Sequence, residues 1–217
     1  MRTSQEYLQK LAGMRPNIYL DGECIGRDHP KVVHASYAIQ LTFDKASDPE
    51  YSKWLTTTSH VSGQPINRFN HIHQSPEDLL LKQEMTRKMC NLVGGCIQRC
   101  MGADSMNGLS VVTKNCDLKY GTDYHARWLK YLAYFQENDL VAAASQTDAK
   151  GDRSKRPSEQ DDPDMYLHVV ERRDDGVIVS GAKLHNTMAP YSDELLVFPT
   201  RALAKHEQDY AIAFAIP

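Results

Sequence analysis

No apolar run in this chain approaches the ~20 residues needed to cross a membrane as a helix, so the sequence offers no membrane span. Cysteine is too sparse for a disulfide scaffold: there are five, an odd number, in 217 residues. Reduced thiols in a cytoplasmic protein are the simpler expectation. Excess charge of one sign is also missing. The net charge of −3 argues against a general nucleic-acid binder. The start, MRTSQEYLQKL, is a polar helix opening rather than a signal peptide. Absent too are GxGxxG, a P-loop, HExxH, GxSxG and a Cx2C…Cx2C set, which disfavours Rossmann, nucleotide-hydrolysing and zinc-finger readings.

What is present suits a globular protein with a real core: 41% hydrophobic and 24% charged residues. Thr3 and Glu6 fit a capping box for a first helix, and Ile18-Tyr19-Leu20 reads as a short strand closed by Asp21-Gly22. The pattern predicts one helix over 30–46, another from Asp48-Pro49 to Leu55, and a long ordered loop over 56–74. That loop holds His71 and His73, which alternate and could meet a metal only on an extended backbone; polar loop contacts are the other reading. Ser75, Pro76 and Asp78 open a helix expected to run over 76–101. Further helices are expected over 105–120, ended by Gly121, and over 124–138. Everything to about Asp139 reads as helical.

The period then changes to strands, at 140–145, 166–171, 177–183 and 195–198, with a buried terminal strand over 209–217. The expected domains are therefore 1–139, helical, and 140–217, β. The terminal strand would expose Ile212, Phe214 and Ile216 if a partner element is missing, and a partial chain is one reading of such an ending.

Two stretches could carry chemistry. Cys96 and Cys100 are four apart in the expected helix, so both sulfurs would share one face. Soft thiolates at that spacing suit zinc, Cu(I) or an iron–sulfur cluster; a pair of small residues packed in a core is the alternative. Gly94-Gly95 just before them marks a kink, a close approach of backbone or cofactor, or tight helix–helix packing. The second stretch is the loop Gln146, Thr147, Asp148, Ala149, Lys150, Gly151, Asp152, Arg153, Ser154. It could present N–H groups and an arginine to an anionic ligand, or simply be solvated. Lys183, His185 and Thr187 alternate and would share one face of a strand, lining either a pocket or solvent.

The segments INRF, HQS, QRCMGAD, KYGTDYH, YFQENDL, TDAKGDR, DPD and GAKLHNT are spread along the whole chain. Together they resemble the 4-hydroxyphenylacetate 3-hydroxylase family, and within it the dehydratase branch. The resemblance implies an α+β, acyl-CoA-dehydrogenase-like fold: a helical N-terminal domain, a β domain incomplete here, and a C-terminal helix bundle absent here. It implies FAD and a [4Fe–4S] cluster, with Cys96 and Cys100 as two cluster ligands and the remaining ligands and catalytic base beyond residue 217. Gln146, Thr147, Asp148, Lys150, Gly151, Asp152 and Arg153, with His185 and Thr187, are the implied flavin residues. Cys24, Cys90 and Cys116 match no such role and read as structural.

The implied reaction is dehydration of 4-hydroxybutyryl-CoA to crotonyl-CoA, with vinylacetyl-CoA Δ-isomerisation. The unactivated C3 hydrogen becomes acidic through a flavin ketyl-radical mechanism, and the cluster assists departure of the hydroxyl. A homotetramer acting on a CoA thioester is implied, with neither nucleic acid nor membrane as partner. Where the hydroxylase branch carries an Arg-Ser-Pro-Asp-Tyr type segment, this chain has Met101-Gly102-Ala103-Asp104-Ser105. An FAD-dependent phenol hydroxylase and a non-catalytic fragment are the alternatives.

Overall fold

Some of the helices begin where a side chain satisfies the unpaired N–H groups of the first turn. The computed structural model describes residues 1–217, which divide into two compact units. One is Met1–Ala142 with Pro190–Asp193, and the other is Ala143–Ala189 with Glu194–Pro217.

In the first unit, α1 (Ser4–Ala12) carries the expected capping box: Glu6 N donates to Thr3 Oγ1 at 3.1 Å, and Thr3 N donates to the Glu6 carboxylate at 2.7 Å. Asp21 and Gly22, both at positive φ, turn β1 (Ile18–Leu20) into an antiparallel partner, β2 (Glu23–Ile25). The run over 30–46 is two helices, α2 (Pro30–Ala35) and α3 (Tyr37–Asp44), rather than one. Ser36 parts them. Its hydroxyl donates to Val33 O at 2.8 Å and accepts from Gln40 Nε2 at 2.9 Å, the local competition by which serine interrupts helices.

The next helix, α4 (Ser52–Leu55), is a single turn. The Asp48 carboxylate is occupied by Lys45 Nζ and Glu50 N, at 2.7 and 2.9 Å. The expected loop over 56–74 contains a hairpin, β3 (Thr56–Thr58) with β4 (Pro65–Asn67), and a 3₁₀ turn, Arg68–Asn70. Three consecutive β-branched threonines favour the strand. The unit is thus helical with two small hairpins, not helical throughout.

Helix α5 (Pro76–Val93) starts with Pro76 at its first position and a Ser75–Asp78 capping box. Gly94, at φ 68°, ends it. Helix α6 (Cys100–Tyr120) ends at Gly121, at φ 65°, and α7 (Tyr124–Glu137) follows. A Cβ built on Gly102 would lie 2.1 Å from Ala142 O, so only glycine allows that approach. Met85, Met89, Leu55, Phe69 and Ile97 form one buried cluster. Each such side chain contributes roughly 1.5–3 kcal/mol of transfer free energy.

The segment Pro190–Asp193 acts as a strap on this unit. Asp193 N donates to Val141 O and Val141 N to Asp193 Oδ2, both at 2.8 Å. The Asp193 carboxylate also takes Arg2 at 2.5 Å and Lys10 at 3.2 Å. Burial pushes its pKa up, but Arg2, Lys10 and the Val141 N–H outweigh that and hold it below the usual carboxylate range.

In the second unit the sheet order is β5 (Ala142–Ser145), β8 (Glu194–Val197), β9 (Phe214–Ile216). Leu196 faces Ala215 across the antiparallel β8–β9 pair. Strands β6 (His168–Arg173) and β7 (Gly176–Ser180) form a separate hairpin with a bulge between Val169 and Glu171. The C-terminal run is not a buried strand. Lys205–Tyr210 coils as 3₁₀ turns, and β9 is three residues at a sheet edge with Ile216 exposed.

Glu207 is fully buried in this unit. Arg156 Nε, Ala204 N and Ser158 Oγ donate to its carboxylate at 3.0, 2.7 and 3.2 Å. Burial works against its charge, yet these donors hold its pKa at about 2, against an ordinary 4.5. A depressed carboxylate pKa stabilises the fold above the unfolded value, and that stability is lost as the pH falls through the folded one. Stability should therefore drop between about pH 4.5 and pH 2, with Glu207→Gln less stable at neutral pH and less sensitive over that window. Urea denaturation at stepped pH measures both.

Candidate functional site

The CxxxC stretch is not on one helix, as its spacing had suggested. Gly94 takes the left-handed conformation and stops α5, and α6 begins only at Cys100. Two adjacent glycines weaken a helix and supply the conformation that ends one, so Cys96 falls in the irregular link between α5 and α6, just before a tight turn at Ile97–Arg99.

Along this stretch, burial alternates. Ile97 (0% exposed) and Arg99 (2%) enter the core, whereas Cys96 is exposed and Cys100 half-buried. Arg99 donates to Thr42 Oγ1 at 2.8 Å, Asp139 Oδ1 at 3.2 Å and Leu140 O at 3.3 Å. Its guanidinium also lies 4.6 Å from the Phe43 ring centroid and 5.3 Å from that of Phe69. Arg99 therefore anchors the turn from below; its charge is matched by Asp139 rather than offered to the thiols.

Both thiols are free. Gln98 N donates to Cys96 Sγ at 3.3 Å. Burial pushes the Cys100 thiol pKa up, and Cys96 is near enough to add to that; the Thr86 hydroxyl, 3.9 Å from Sγ, and Lys82 work the other way. The Cys90 side chain packs with Cys100 against the apolar cluster. No three His, Cys, Asp or Glu side chains gather for a metal ion. His71 is buried with Nε2 at 3.2 Å from Asp78 Oδ2. By donor chemistry the two free thiols, Cys96 and Cys100, suit thiolate-loving metals.

In the second unit the loop after β5 sorts into framework and exposed groups. Lys183 Nζ spends all three N–H bonds on protein: Asp148 Oδ1 at 2.5 Å, Gln146 O at 3.0 Å and Phe198 O at 2.7 Å. The Thr200 hydroxyl donates to Asp148 Oδ2, and Leu184 N to Thr147 O at 2.7 Å. Lys150 and Gly151 follow at φ 69° and 49°. A Cβ on Gly151 would meet Gln160 Oε1 at 2.3 Å. Asp152 is turned back on Ser154, whose N–H and hydroxyl donate to Oδ1 at 2.9 and 2.7 Å.

Lys183, His185 and Thr187 do not share a strand face. Strand β7 ends at Ser180, Gly181 packs at φ 125° against Leu167, and His185 bends the chain at φ 58°. Gln146, Arg153, His185 and Thr187 are exposed. Four side chains that can donate hydrogen bonds thus face solvent, one of them a guanidinium, and by chemistry such donors suit an anionic, hydrogen-bonding cofactor such as a flavin nucleotide.

The family model for the 4-hydroxyphenylacetate 3-hydroxylase N terminal matches residues 3–217. The chain belongs to that family. It is 41% identical over its whole length to the 4-hydroxybutyryl-CoA dehydratase/vinylacetyl-CoA-Δ-isomerase of Clostridium aminobutyricum, covering 45% of that protein. It is 28% identical to the oxygenase component of 4-hydroxyphenylacetate 3-monooxygenase from a Geobacillus strain, covering 44% of it.

An oxygen-tolerant archaeal 4-hydroxybutyryl-CoA dehydratase from N. maritimus shares the fold at TM-score 0.95 and 41% identity, with all of this chain aligned to 43% of that one. The oxygenase component of 4-hydroxyphenylacetate 3-monooxygenase complexed with FAD aligns at TM-score 0.79 and 25% identity, over 44% of its chain. The 4-hydroxyphenylacetate 3-hydroxylase family chain described here, a mixture of helix and sheet, thus spans less than half the length of these relatives.

Sequence reasoning missed the residues that hold these stretches in place: Tyr191 behind Gln98, Thr200 behind Asp148, and Asp139 behind Arg99. Asp148 and Lys183 are framework rather than open side chains. A lone arginine in the turn, between Gln98 and Cys100, was the one visible signal. The two thiols should differ chemically. Iodoacetamide near neutral pH should modify Cys96 several-fold faster than Cys100, whose rate should keep rising to a pH above that of a free cysteine. Peptide mass spectrometry of partly alkylated protein measures both.

Proposed function

We propose that this chain is the N-terminal portion of a hydro-lyase that converts 4-hydroxybutyryl-CoA to crotonyl-CoA and isomerises vinylacetyl-CoA. Residues 1–139 would form its N-terminal helical domain, and 140–217 the opening of a β domain that a C-terminal helix bundle completes. The observation that carries the reading is the pair of free thiols flanking the Ile97–Arg99 turn, one exposed and one half-buried, in a chain 41% identical throughout to a dehydratase of that description.

The chemical difficulty is the C3 hydrogen, which the thioester does not activate. Bound FAD would supply one-electron chemistry and a [4Fe–4S] cluster Lewis acidity at the C4 hydroxyl. This chain's own residues bind and orient. Cys96 and Cys100 supply two thiolate donors, and Ile97 and Arg99 fix the turn beneath them. Arg153 and Lys150 offer cationic groups to the flavin phosphates, while Gln146, Thr147, His185 and Thr187 offer hydrogen bonds. Asp148, Gly151, Asp152 and Lys183 hold that loop in shape. The remaining cluster donors and the catalytic base come from outside these residues. No helix is long and apolar enough to cross a membrane; a cytoplasmic homotetramer with reduced thiols completes the reading.

Two variants of the full-length protein test it. Cys96→Ser should abolish dehydration and lower iron and acid-labile sulfide per chain; retention of both would overturn the cluster assignment. Iron-free parent protein that hydroxylates a phenol with reduced FAD and O2 would place it in the hydroxylase branch instead. Arg153→Ala should weaken FAD binding at least tenfold, the loss of a charge-assisted hydrogen bond of roughly 1.5–3 kcal/mol. Unchanged flavin affinity by fluorescence titration would remove the loop from the flavin site.

A further inference from the structure

The turn between the thiols is held at a third point besides Ile97 and Arg99. Gln98, between them, sits at φ 64°, a left-handed conformation that a side chain with a Cβ adopts only when its surroundings enforce it. Its Oε1 accepts a hydrogen bond from the Tyr191 hydroxyl. Tyr191 is 3% exposed and is itself immobilised.

Its carbonyl accepts from the Tyr7 hydroxyl. On either side of it Arg27 Nη1 donates to Pro190 O at 3.1 Å and Asp193 pairs with Arg2. The strap therefore reaches the turn as a fixed point, not as a loop that the turn has ordered. Gln98 in turn points its backbone N–H at Cys96 Sγ, 3.3 Å away. Gln98 is the middle residue of a tight turn closed by Arg99 N, which donates to Ile97 O at 2.7 Å, and the Tyr191 hydroxyl holds its side chain.

We propose that Tyr191 is a positioning residue for Cys96: its hydroxyl pins the Gln98 side chain, and the pinned left-handed residue turns Cys96 outward and aims an N–H at its sulfur. The value of this to the enzyme rests on the reading of Cys96 as a cluster ligand. The geometry does not, and the test separates the two.

Tyr191→Phe removes the hydroxyl and keeps the ring. In cluster-free full-length protein, the amides of residues 96–99 should exchange hydrogen about tenfold faster than in the parent, with exchange over α7 unchanged. Gln98→Gly reaches the same backbone conformation without a clamp, so adding Tyr191→Phe to that background should produce no further acceleration. Equal exchange in Tyr191→Phe and parent, or the same acceleration in the Gly background, overturns the proposal. In cluster-loaded protein Tyr191→Phe should lower iron per chain by half or more while flavin content stays constant. Unchanged iron alongside faster exchange overturns the positioning role. A parent without iron would overturn the cluster reading instead, and the exchange result would still decide whether Tyr191 holds the turn.

Discussion

A guanidinium with no water to turn to governs the first unit. Leaving a buried cation unpaired costs several kcal/mol, so the elements that meet Arg99 must bring acceptors or aromatic faces. Helix α3 brings Thr42 and Phe43, the turn after β4 brings Phe69 and Asn70, and the end of α7 brings Asp139 and the Leu140 carbonyl. Asp139 also takes the Arg2 backbone N–H at 3.1 Å and Asn70 Nδ2 at 2.8 Å. Hydrophobic packing alone would tolerate a shift of these elements by part of a side chain. A set of directed bonds to one cation does not. Because Arg99 lies between the two thiols in sequence, the same bonds anchor the backbone from which the thiols project.

The second unit applies the same logic twice on a smaller scale. Lys183 and Glu207 are each enclosed by partners from far along the chain: Asp148 and the Phe198 carbonyl in one case, Arg156 and Ser158 in the other. Each ties one loop to another where there is little strand to do so. With β9 three residues long and β6–β7 a separate hairpin, charged knots carry a share of the cohesion that a larger sheet would provide through its ladder.

The parts of the fold legible in sequence were those decided within a few residues. The Thr3–Glu6 and Ser75–Asp78 boxes, the Asp21-Gly22 turn and the stop at Gly121 are local chemistry, and each lies where its residues suggest. The hairpin of β3 and β4 went unread because strands of three residues are too short to display an alternating period. Gly94-Gly95 was ambiguous among kink, close approach and tight helix–helix packing, and the outcome was a helix end, which depends on Ile97 and Arg99 finding a core to enter. Alternation at 183, 185 and 187 failed for a related reason: positive φ at Gly181 and His185 is invisible to periodicity. The loop holding Asp148 reads as solvated or ligand-facing, yet Asp148 is buried, as are Asp193 and Glu207, which no local pattern singles out. Their partners stand 35 to 191 residues away along the chain, beyond any local pattern.

The strap Pro190–Asp193 bears on the order in which the chain can assemble. The first unit is discontinuous: the second acceptor for the Arg2 guanidinium, after Asp139, arrives 191 residues later, and that for Tyr7 arrives 184 residues later. Closing a loop that long carries an entropic cost that local helices do not meet. During synthesis α1 to α7 can form and collapse while Arg2, Lys10 and Arg27 still lack their strap acceptors. Only when residue 193 emerges are those acceptors supplied. A cut after Ala142, at the apparent end of the helical portion, would yield a polypeptide with every helix of its unit and no means of finishing it.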